Sequence, residues 1–239
     1  MRIVIVALLA LIAAALGPLA SPARADEAVA LSGGYGLLNA PRAPRAAIVL
    51  IPGGNGHLGI RPDGSFSSLQ GNQLVRTRKA YAAAGVASLV IDSGVSIGSA
   101  VTYLRQRYGR PVTVAGTSRG SLRMGEALGA RPSGLVITAG FLDQMRGQIG
   151  SPAALPPVLV VHHRQDGCRV TPPAAVEPFK AWGGARVRVA WIEGGTDAGD
   201  PCQARGFHGF AGNDGRVVGL VAGFAKGEVG VSQAPSPGA

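Results

Sequence analysis

The feature that most constrains this chain is a regular alternation of short, wholly apolar runs with longer stretches of helical period. Ala46-Ala47-Ile48-Val49-Leu50-Ile51 has no polar face and is closed by Pro52-Gly53-Gly54, as expected of a strand covered on both sides. Further strands are expected at 87–91, 111–115, 135–138, 158–161 and 187–192. Helical patterns fall at 70–84, with Leu74, Ala80 and Tyr81 among the inward residues, and at 97–108, 118–128, 174–182 and 216–225. Such alternation predicts an α/β fold: a mainly parallel central sheet covered by helices on both faces, in three layers. Only about twenty residues separate the strands at 135 and 158, which leaves little room for a cap domain over an active edge.

The two ends read differently. Met1-Arg2, an apolar run over 3–16, the break Gly17-Pro18 and the small residues Ala23-Arg24-Ala25 have the order of a secretory signal peptide at 1–25. The expected product is one domain at 26–226, soluble, free of membrane in its mature form, and periplasmic or secreted. The Gly/Ser/Pro-rich stretch 227–239 is expected to be a disordered tail. With 46% hydrophobic and 15% charged residues, the chain can bury a core, which excludes disorder as its main state. The net charge is +10, but the basic residues are dispersed and no aromatic-interleaved stripe occurs, so nucleic acid is not an expected partner.

Gly116-Thr117-Ser118-Arg119-Gly120 fits Gly-x-Ser-x-Gly, a turn between strand and helix that exposes a serine oxygen. In a chain with 37 glycines the pattern is cheap, and Gly94-Val95-Ser96-Ile97-Gly98 also matches. Only the first follows its strand without a spacer, so Ser118 is the expected nucleophile and Ser96 the expected cap of a helix. A serine needs a histidine to take its proton and a carboxylate to orient that histidine. Of His57, His162, His163 and His208, the last lies between the final strand and the final helix; Asp166 follows the strand ending at His162-His163. Ser118, Asp166 and His208 would then share the carboxyl edge of a parallel sheet, where ligands bind.

In these features the chain resembles the α/β-hydrolase superfamily over about 37–225: the strand pattern, Gly116 to Gly120, and the chain order Ser, Asp, His. The resemblance implies Ser118 as nucleophile, Asp166 as the acid and His208 as general base, with Asp143 a second acid to weigh. It implies an oxyanion hole built from the N–H of Arg119 and that of Gly54 or Asn55, on a Pro52-Gly53-Gly54-Asn55-Gly56 turn. The expected activity is cleavage of a carboxylic ester or related acyl bond in a small-molecule substrate, without organic cofactor or metal. The alternative is a noncatalytic binding protein on the same fold.

Two other patterns point elsewhere. Gly54-Asn55-Gly56-His57-Leu58-Gly59 matches a dinucleotide fingerprint, but Arg61-Pro62-Asp63-Gly64 follows where a helix should open, and no acid stands between 70 and 81 to hold a ribose. His162 and His163, as strand neighbours, point to opposite faces, which is poor geometry for a shared metal. Cys168 and Cys202, the only cysteines, would form a disulfide in an exported protein, tying the loop of Asp166 to that of His208.

Overall fold

A computed structural model of the chain describes residues 26–228. The signal peptide expected at 1–25 and all but the first two residues of the tail expected at 227–239 lie outside the described residues. The strands are β1 (Glu27–Leu31), β2 (Gly34–Asn39), β3 (Ala46–Ile51), β4 (Val86–Ile91), β5 (Val112–Thr117), β6 (Gly134–Thr138), β7 (Val158–His163) and β8 (Val187–Ile192). The helices are α1 (Gln73–Arg76), α2 (Arg78–Ala83), α3 (Ile97–Tyr108), α4 (Met124–Gly129), α5 (Leu142–Ile149), α6 (Val176–Gly183) and α7 (Asp214–Ala225).

The strands form one sheet in the order β1-β2-β4-β3-β5-β6-β7-β8. Pairing is parallel from β4 through β8, and antiparallel for β1 with β2 and for β2 with β4. Alternation along each strand sorts the apolar residues between two cores. Ala47, Val49 and Ile51 face α3, α4, α5 and α6 in one core, whereas Ala46, Ile48 and Leu50 meet residues of α1, α2 and α7 in the other. The apolar runs lack a polar face for this reason: both sides of β3 to β7 are covered.

Several elements depart from expectation. The β1–β2 hairpin was not anticipated; its strands are short, β2 carries Gly34 and Gly36, and the two are joined only by Ser32-Gly33, with Gly33 at φ 91°. The single helix expected at 70–84 is two helices broken at Thr77, whose hydroxyl bonds back to the Gln73 carbonyl at 2.6 Å. Leu74 and Tyr81 are buried as expected, but Ala80 is exposed, because it sits one residue off the face that Tyr81 shares with the core. The segment from Ser118 to Arg123 is a tight 3-10 turn, and the α-helix begins only at Met124. Helix α5 fills the interval between β6 and β7. Glu228, assigned to the tail by sequence, remains attached through its N–H to the Gly223 carbonyl and an ion pair with Arg45.

Candidate active site

Strand β5 runs without interruption into Ser118, which sits at φ 49°. For a residue with a side chain this left-handed conformation costs of order 1–3 kcal/mol, and the surroundings impose it. A Cβ on Gly120 would collide with the main-chain oxygens of Ile51 and Pro52, and one on Gly116 would lie 2.9 Å from the Gly120 carbonyl. Gly120 is therefore needed for the close approach of the turn to the end of β3, and Gly116 for the turn to fold back on its own strand. Ser96, in the other match, caps α3 by accepting the Ser99 N–H at 3.3 Å.

His208, on a short 3-10 turn at Phe207–Gly209, brings Nε2 to 3.0 Å from the Ser118 hydroxyl oxygen. Its Nδ1 lies 2.9 Å from Asp166 Oδ2 and 3.2 Å from the Thr171 hydroxyl. A carboxylate can only accept, so Nδ1 carries the proton and Nε2 keeps a lone pair for the serine O–H. Asp166 Oδ1 accepts the Cys168 N–H at 2.9 Å. Oδ2 also faces Nε2 of the fully buried His162 at 3.4 Å, a nitrogen that lies 3.0 Å from the Thr171 carbonyl. Burial alone would raise the pKa of Asp166, but hydrogen bonds from His162 and His208, the charge of His208 and the Cys168 N–H together bring it down to about 2.

That depression has a measurable consequence. The unfolded carboxyl titrates near 3.8 and the folded one at about 2, so its stabilising contribution is complete above about pH 4 and is lost as pH falls through about 2. The contribution is about 2 kcal/mol. Urea unfolding of the wild type should therefore lose about 2 kcal/mol more than unfolding of Asp166→Asn between pH 5 and pH 2; parallel pH curves would assign Asp166 no such part.

Beside the serine, Gly53 to Gly56 form a turn closed by the Gly56 N–H on the Gly53 carbonyl at 3.1 Å, with Gly54 at φ 65°. Gly54 and Asn55 line an open cleft of about 260 Å³ together with Pro52, Arg119 and Gly120. The loop beyond is held by Asp92 at the end of β4, whose carboxylate accepts N–H groups from Leu58, Gly59 and Ile60 at 2.9 to 3.2 Å. The glycine fingerprint therefore wraps a carboxylate of the protein itself. His57 is exposed, 3.3 Å from Asp92. Asp143 points away on α5, exposed and 3.9 Å from Arg146.

No protein-family model matches the chain, and no curated protein matches it by sequence. Solved structures do match. A dienelactone hydrolase from Anabaena variabilis superposes with a TM-score of 0.60 at 15% identity, over 86% of this chain and 99% of that one. An alpha-beta serine hydrolase homologue from Coxiella burnetii gives 0.56 at 16% identity, over 82% and 95%. A lidless α/β serine hydrolase from Xanthomonas campestris gives 0.55 at 14%, over 84% and 96%. The chain has the α/β-hydrolase fold.

Within this α/β-hydrolase fold, side chains outside the triad hold the loops of the site, and Arg76 among them was not singled out by sequence. Arg76 donates to the carbonyl of Gly209 at 2.6 Å and to both oxygens of Asp214 at 2.7 and 2.9 Å, pinning the segment that carries His208. His163 stacks on Phe207, the neighbour of His208, with ring centroids 4.3 Å apart, and its Nε2 meets the Gly194 carbonyl at 2.8 Å. Cys168 and Cys202 are bonded, with Cα atoms 4.6 Å apart. The bond joins the loop after β7 to the loop after β8. Pairs such as Arg76 with Gly209 carry no local signal, being 133 residues apart; His162 and Asp166, four apart, stand out in the sequence as neighbours but not as partners within the triad.

Proposed function

We propose that this protein is an exported serine hydrolase that cleaves a carboxylic ester or related acyl bond through an acyl-enzyme. The hydrogen-bonded line from Ser118 through His208 to Asp166, at 3.0 and 2.9 Å, is the observation that carries this. Ser118 Oγ attacks the carbonyl carbon as its proton passes to His208 Nε2, and the carbonyl electron pair moves onto oxygen. Asp166 stays ionised and steadies the imidazolium. The N–H groups of Arg119 and of Gly54 or Asn55 receive the oxyanion. As the carbonyl re-forms, the ester C–O bond breaks and the alkoxide leaves with the proton from His208. Water, deprotonated by His208, then attacks the acyl carbon; the proton returns to Ser118, and a carboxylic acid departs.

The structural neighbours, among them serine hydrolases and a dienelactone hydrolase, agree with this class of chemistry. Export is supported by the order of residues 1–25 and by the disulfide, which persists in oxidising compartments. Among the described residues no helix is long and apolar enough to cross a membrane.

A fluorophosphonate probe is expected to modify the protein once, and peptide mapping should place the adduct on Ser118. Modification of Ser96 instead would overturn the choice of serine, and absence of any adduct would favour a noncatalytic binding protein.

A further inference from the structure

The cleft beside the serine has an unusual charge balance. Among the described residues its charged lining groups are Arg119 and Arg123, and no carboxylate lines it. Arg123 is occupied, since its guanidinium donates to both oxygens of Glu126 at 2.8 to 3.0 Å and to the Val95 carbonyl at 2.7 Å. Asp92, nearby at the end of β4, spends its oxygens on main-chain N–H groups and faces His57. Arg119 differs: among the described residues its exposed guanidinium has no ion-pair or hydrogen-bond partner. The cleft is also lined by Ile51, Ile91 and Leu122, an apolar lining suited to a short hydrocarbon segment.

Resting on the acyl-transfer chemistry above, we infer that Arg119 is a specificity residue and that the preferred substrates are short esters bearing a carboxylate a few carbons from the scissile carbonyl. Arg119 directly follows Ser118, so its main chain borders the reacting carbonyl while its long side chain reaches outward along the cleft. A group held by that guanidinium therefore sits several bonds from the attacked carbon. The fork of N–H donors matches a carboxylate in two parallel hydrogen bonds. The apolar lining accepts the methylenes between.

The test uses two para-nitrophenyl esters of matched length, the neutral pentanoate and the mono-ester of glutaric acid, each corrected for spontaneous hydrolysis. The quantity read is the ratio of kcat/KM for the anionic ester to that for the neutral one. Arg119→Ala is expected to lower this ratio about tenfold, mainly through KM of the anionic ester. Arg119→Lys, which keeps the charge but loses the fork, should restore part of it. Added salt should lower the ratio in the wild type and leave it unchanged in Arg119→Ala, since the pairing is solvent-exposed. A ratio that is the same in wild type and Arg119→Ala would overturn the anion site while leaving the hydrolase standing. A wild type that cleaves neither ester and takes no fluorophosphonate would overturn both.

Discussion

Replacing Ser118 with alanine is expected to lower kcat for ester hydrolysis by about 10⁴-fold or more while leaving the protein folded. The side-chain oxygen makes its hydrogen bond with His208 Nε2, 3.0 Å away, and without it that nitrogen has no side-chain nucleophile to activate. Residual rate would come from the oxyanion donors and from binding, which the substitution does not remove. Alanine meets the same backbone strain at φ 49° as serine does, so stability should change by less than about 1 kcal/mol. Steady-state kinetics with a chromogenic ester, beside a urea melt of each protein, measures both. A variant that retains a tenth or more of wild-type kcat would remove Ser118 from the mechanism.

The second large effect is on stability. Loss of the Cys168–Cys202 bond, by reduction or in the Cys168→Ala/Cys202→Ala protein, should cost about 4 kcal/mol, because it frees a loop spanning 34 residues in the unfolded chain. The bonded loops carry Asp166 and the approach to His208, and Cys168 N–H is itself a donor to Asp166. The double variant should therefore lose kcat at temperatures well below its global unfolding. Equilibrium unfolding with and without reductant, followed alongside activity, tests this. Coincident unfolding curves would show that the bond contributes nothing, whatever its position.

These two expectations draw on different kinds of information. The strands β3 to β7 were legible because each needs only its own apolar residues to declare that both faces are covered. Ser118 was separable from Ser96 because the decisive feature, a strand ending directly at the pattern, is local. The β1–β2 hairpin was not legible: its alternation is short and its glycines weaken any strand signal. The break at Thr77 was hidden for another reason. It depends on a threonine hydroxyl choosing the Gln73 carbonyl, in a segment whose period still fits one helix.

By itself, the order of residues determined a layered α/β chain with a serine on a tight turn, a carboxylate and a histidine each following a strand, and two cysteines in reach of the same edge. Chain order already singled out His208 from its three counterparts; only the tertiary structure brings its Nε2 to 3.0 Å from Ser118 and shows that His162, Thr171 and Arg76 hold the partners in place. The physical reason is sequence distance. Helix and strand patterns repeat within a few residues, whereas His208 finds Ser118 across 90 residues and Asp166 across 42. Such contacts exist only when the sheet has brought the ends of β5, β7 and β8 side by side.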